Sequence, residues 1–80
     1  MAQQTLTPSF LGNVLKAVPH LTKLPIHRLW FDYDQEADVL YISLERPQKA
    51  TANKMRDDGI LLRYRGKKLV GVTVFEASSR

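Results

Sequence analysis

Two groups of side chains in this eighty-residue chain have the types and spacing to do chemistry. The first is acidic: Asp32, Asp34, Glu36 and Asp38 alternate along one short stretch. Such carboxylates serve as metal ligands or as an acid–base pair. A calcium loop of the EF-hand kind, counted from Asp32, needs glycine at its sixth position and a bidentate acid at its twelfth. Those positions hold Ala37 and Ser43. An acid–base pair needs a cleft that drives two pKa values apart, and a polar turn between apolar strands offers none. Aspartate is favoured in turns because its side chain bonds its own backbone, so a structural role is expected here. His20 and His27 have no companion ligands at metal-binding spacing. No glycine-rich phosphate loop and no nucleophile with an attendant base occurs. No catalytic residue, metal or cofactor is therefore assigned.

The second group is basic. A two-residue Asp58-Gly59 turn, the strongest short hairpin signal, pairs Met55 with Leu62, Lys54 with Arg63 and Ala52 with Arg65. Met55, Ile60, Leu62 and Tyr64 then share an apolar face, and Lys54, Arg56, Arg63 and Arg65 gather around Leu61 on the other. Like charges opposite one another destabilise a ladder, which predicts an anion between them. It would come from nucleic-acid phosphate, from the acidic hairpin of the same or a second subunit, or from an acidic partner protein. The simpler alternative is a solvated face whose side chains splay apart. Few aromatic residues interleave with these bases, so base stacking has little to build on. A protein anion ranks above RNA or DNA.

The elements that position these groups follow from periodicity. Thr7-Pro8 is a helix-start signal. Phe10, Leu11, Val14, Leu15 and Val18 then recur at helical spacing, and Pro19 is expected to stop the helix. The helix is too short to persist alone in water, so it is expected to dock on the sheet. From Leu29 the period becomes two. A four-residue loop, Gln35 to Asp38, pairs Tyr33 with Leu40, Phe31 with Ile42 and Leu29 with Leu44 on one apolar face. A one-residue slip would turn acids into that face. Pro47 ends the second strand. A weaker, edge-like strand spans residues 50–57, followed by strands at 60–65 and 69–75 around a Gly66-Lys67 turn with glycine first. The register of that turn leaves open which of the last strand's residues share a face. Residues 77–80 read as a tail or one turn of helix.

The expected fold is α+β: one N-terminal amphipathic helix, with its connection filling residues 1–28, packed on an antiparallel β-meander of about five strands over residues 29–80. The two parts form one compact domain.

Here the residues resemble a known family. Tyr33-Asp34-x-Glu36-Ala37-Asp38-Val39-Leu40-Tyr41-Ile42, Asp58-Gly59-Ile60, Val70-Gly71-Val72 and Ala77-Ser78 are similar to the mainly prokaryotic domain of unknown function 2283, over about residues 30–78. The helix lies outside that match. The resemblance implies a small protein with no established enzymatic activity, and for some members an antitoxin-like role in paired small-protein systems. Tyr64-Arg65-Gly66-Lys67-Lys68 departs from the family's acidic turn.

Composition sets further limits. A domain of this size has a small core, and with no cysteine neither a disulfide nor a thiolate metal site reinforces it. Oligomerisation is the remaining device, and a homodimer is expected. Trp30, Tyr41 and Leu61 lie opposite the main core face and are the candidate interface, because one short helix covers only one side. The net charge of +4 is uneven: +3 over residues 1–28, −5 over 29–45 and +6 over 46–80. No apolar run reaches the ~20 residues of a membrane span, and no secretory signal opens the chain, so a cytoplasmic protein without membrane contact is expected. Together these features predict a non-catalytic protein-interaction module, and the family resemblance alone implies an antitoxin-like or regulatory form of it. A nucleic-acid-binding protein using the basic face is the alternative.

Overall fold

The computed structural model describes residues 8–80, and the expected Thr7 cap lies outside them. Helix α1 spans Pro8–Leu21, followed by strands β1 (Trp30–Asp34), β2 (Val39–Ser43), β3 (Ala52–Met55), β4 (Ile60–Arg65) and β5 (Lys68–Phe75), with a 3₁₀ turn at Ala77–Ser79. The α+β class holds.

Pro19 does not end the helix. It sits in the last turn, where its missing N–H removes one bond and leaves the next ones intact. The Thr22 amide reaches the Val18 carbonyl at 3.0 Å, and the Thr22 hydroxyl donates to the Pro19 carbonyl at 3.0 Å.

The sheet is antiparallel and five-stranded, in the order β1-β2-β5-β4-β3. That differs from a simple meander, because β5 inserts between β2 and β4. The segment from Leu44 to Thr51 makes the crossing, with Pro47, in a cis peptide, unable to extend β2. Val70, Gly71 and Thr73 of β5 are buried, which suits a strand paired on both edges. Gly71 has a positional reason. A Cβ there would strike the Gln48 side chain, which packs over it and donates from Nε2 to the Ser43 hydroxyl at 2.8 Å. The crossover is thereby held to the sheet.

The β1–β2 register is as the sequence predicts: Phe31 opposite Ile42, Tyr33 opposite Leu40 and Asp34 opposite Val39, around the loop Gln35 to Asp38. The ladder begins at Trp30 and Ser43; the Leu44 amide bonds to the Val70 carbonyl instead, at 2.9 Å.

The second hairpin corrects the expectation. Met55 pairs with Leu61, Lys54 with Leu62, Asn53 with Arg63 and Ala52 with Tyr64. The Arg56 amide donates to the Ile60 carbonyl at 2.8 Å, so the loop is the three residues Asp57-Asp58-Gly59. Only Gly59, at φ 81°, is left-handed, whereas a type I′ turn would need positive φ at Asp58 as well. One extra loop residue reverses the faces of β3 relative to β4. Gly66, at φ 63°, takes the first position of its two-residue turn, as its sequence predicts.

A register shift between Arg63 and Tyr64 leaves Val70 as an extra residue on β5. This bulge reverses the alternation of the strand. Leu69 therefore joins Val72 on one face of the sheet, and neither regular alternation read from the sequence applies throughout. Val70 is fully buried.

Two sheet faces result. One carries Phe31, Tyr33, Leu40, Ile42, Ile60, Leu62, Val72 and Val74; the other carries Trp30, Val39, Tyr41, Leu61, Thr73 and Phe75. The first was expected to be the core beneath α1. Instead Phe31 and Tyr33 are each 50% exposed, and α1 exposes Leu11, Val14, Leu15, Val18 and Leu21. No strand packs extensively on α1 among the described residues. The last residue of the helix and the connection after it take its place: Leu21, Leu24, Ile26 and Leu29 close over Phe31, Ile42, Leu44, Leu69 and Val72, leaving an apolar cleft of about 290 Å³.

Candidate functional site

Two polar clusters join parts of the chain that are distant in sequence. The first centres on Asp38, the last residue of the β1–β2 loop, held at φ 57°. Aspartate tolerates the left-handed region better than most residues. In that conformation its carboxylate accepts from the Tyr33 hydroxyl at 2.6 Å, the Ser78 amide at 3.0 Å and the Ser78 hydroxyl at 2.8 Å. Its own carbonyl accepts from the Ala77 amide at 3.0 Å. The 3₁₀ turn at the C-terminal end is therefore clasped to the first hairpin.

A tyrosine, an aspartate and a serine in contact invite comparison with a catalytic constellation. The electrostatics point the other way. The Tyr33 hydroxyl foremost, then Ser78, hold the Asp38 carboxyl below its usual range, while the same bond to Asp38 raises Tyr33. A general base needs a pKa near the working pH, and a carboxylate saturated by three donors has moved away from it. Its bonds clasp the C-terminal turn to the first hairpin. Sequence reasoning assigned Asp38 to the turn and missed Ser78, because periodicity carries no sign of a contact between them.

The remaining acids are dispersed. Asp32 and Asp34 project from the Trp30 face of β1, and the Asp34 carboxylate accepts the Ala37 amide at 3.1 Å, the local turn bond that its position predicts.

The second cluster lies where the crossover leaves β2. Glu45 bonds both Arg65 and Lys68, with its second contact to the Arg65 guanidinium at 3.1 Å. Arg65 first and Lys68 second pull the Glu45 carboxyl down to about 2, and Glu45 in turn raises Arg65. The anion beside Arg65 is therefore the chain's own acidic segment.

The predicted basic group is divided by the register. Lys54 lies opposite Leu62, on the Phe31 face, while Arg63 and Arg65 lie on the Trp30 face. Lys54 does not face Arg63, so the charge repulsion that called for an anion is absent. Arg63 donates to Asn53 Oδ1 at 3.2 Å, and Arg56 pairs with Asp58 at 2.9 Å within its own loop. Met55, expected in the core, is 56% exposed beside Leu61.

Trp30, Tyr41 and Leu61 do share a face. Tyr41, Thr73, Leu61 and Met55 form one cross-strand row, with Trp30 and Ser43 in the next. Tyr41 remains 42% exposed, whereas Trp30 and Leu61 are half-buried. Among the described residues no helix is long and apolar enough to cross a membrane.

No curated protein and no solved structure matches the chain significantly. A family model described as "Protein of unknown function (DUF2283)" matches residues 30–78, which include the whole sheet and both members of the Asp38–Ser78 clasp. The matched segment is more than half of the molecule, and the chain belongs to the DUF2283 family.

Proposed function

We propose that this domain is a non-catalytic protein-interaction module. The observation that carries the proposal is the amount of apolar side chain left uncovered on organised elements: Leu11 at 55%, Val14 at 41%, Leu15 at 59% and Val18 at 40% along α1, and Phe31 and Tyr33 at 50%. Organised apolar surface on this scale marks an interaction site more often than an inert one. The Asp38 cluster supports the same reading, since its groups are committed to holding the chain together. An antitoxin-like or regulatory role is the specific form of the proposal, and it draws on the family resemblance alone.

Nucleic-acid binding has weaker support. Phosphate recognition relies on bases converging on one surface, and here the register separates Lys54 from Arg63 while Glu45 and Asp58 engage Arg65 and Arg56.

Native mass spectrometry of the protein isolated from its source at its natural level tests the proposal, with Ser78→Ala as the companion variant. The expected result is a stoichiometric assembly, homomeric or heteromeric, retained by the variant. A lone protomer in the native preparation, or a turnover that disappears with the Ser78 hydroxyl, overturns it.

A further inference from the structure

The helix and the sheet face each lack what the other would supply. A short helix with glycine and proline within it, here Gly12 and Pro19, is marginal in isolation. Leu11, Val14, Leu15 and Val18 nevertheless stand exposed along it. The sheet face beyond the cleft presents Tyr33, 50% exposed, beside the half-buried Leu40, Ile60, Leu62 and Val74, and α1 does not pack extensively on it. Helix on sheet is one of the few stable two-layer solutions. Within one chain that solution is obstructed, because Leu21, Leu24 and Ile26 already occupy the Leu44–Leu69 end of the face.

The exposed area matches the need. The protein exposes 6620 Å², whereas a compact monomer of this mass exposes about 4,900 Å². Even when residues 1–7 are allowed the full area of an unfolded chain, an excess of roughly 900 Å² remains. A standard interface buries ~800 Å² per partner.

Building on the interaction-module reading, we propose that the partner on the Phe31–Tyr33 face is a second copy of this chain, with the α1 helix of each copy lying across the apolar sheet face of the other. A two-fold axis makes the exchange reciprocal and closes the assembly. Both apolar surfaces are then buried at once.

The absence of cysteine makes a direct test clean. A spin label is attached at Lys16→Cys in chains of natural isotopic abundance. These are mixed with an equal amount of unlabelled, ¹⁵N-enriched chains at micromolar concentration or above. The expected result is a dimer mass by light scattering and paramagnetic broadening of Tyr33, Leu40, Leu62 and Val74 amides in the ¹⁵N chains. The double variant Val14→Glu, Val18→Glu should halve the mass while the sheet's circular dichroism persists. A monomer mass for the wild type overturns the proposal, as does a dimer in which the Leu40, Leu62 and Val74 amides of the central strands stay sharp. A wild-type monomer that still joins a different protein in the native preparation would overturn helix exchange and leave the interaction-module reading standing.

Discussion

Gly59 is the position where backbone and side-chain constraints can be separated by experiment. It occupies φ 81° at the end of the Asp57-Asp58-Gly59 loop, and an added Cβ would lie 2.6 Å from Arg80 Nη2. That guanidinium donates to the Asp58 carbonyl at 2.5 Å and, through Nε, to the Phe75 carbonyl at 2.8 Å. Gly59→Ala therefore carries two costs. Holding an L-residue in the left-handed region costs about 1–2 kcal/mol. Displacing Arg80 removes exposed hydrogen bonds contributing roughly 1 kcal/mol together. The expected destabilisation is about 2–3 kcal/mol, which lowers the Tm of a domain this small by roughly 10–20 °C. In an Arg80→Ala background only the backbone cost remains, so Gly59→Ala should there cost about 1–2 kcal/mol. Urea unfolding at one fixed protomer concentration, followed by the fluorescence of the single tryptophan, Trp30, measures all four corners of the cycle. Gly59→Asn should recover part of the backbone cost, since asparagine visits this region readily. Gly59→Ala within about 0.5 kcal/mol of wild type, the range of neutral surface substitutions, would refute the left-handed assignment. An equal loss in both backgrounds would refute the Arg80 contact.

Val70→Ala at the fully buried bulge removes two carbons at ~0.8 kcal/mol each and leaves a void, for a loss of about 2 kcal/mol; urea unfolding should show it with an unchanged m-value. Glu45 gives a pH signature. Its carboxyl falls from an ordinary 4.5 to about 2 on folding, so its ion pairs contribute fully above pH 4.5 and are lost as pH falls towards 2. Acid titration of stability for wild type and Glu45→Gln should therefore show a constant gap near neutrality that closes as pH approaches 2. A gap unchanged down to pH 2 would show that Glu45 is not held by Arg65 and Lys68.

What was legible in the sequence was local. The α+β class follows from the change of period at Leu29, and the first hairpin's register from the requirement that Phe31, Tyr33, Leu40 and Ile42 share a face. Gly59 and Gly66 mark turns because few other residues take positive φ. The family pattern over residues 30–78 was equally readable, since it is carried by those same turns and strands.

What only the tertiary structure decided depends on partners far along the chain. The length of the Asp57–Gly59 loop is one residue more than its dipeptide suggests, and β3 consequently presents Lys54 where Met55 was expected. No local propensity records that choice, because both loops use the same glycine. The Val70 bulge, the crossing that sets β5 between β2 and β4, and Gln48 seated on Gly71 arise from the packing of separate segments. The same is true of the charges. Asp38 reads as one acid in a turn until Ser78 is brought back across forty positions, and Arg65 reads as a free base until Glu45 meets it. Composition establishes that these charges exist; only the three-dimensional return of the chain determines which of them remain available.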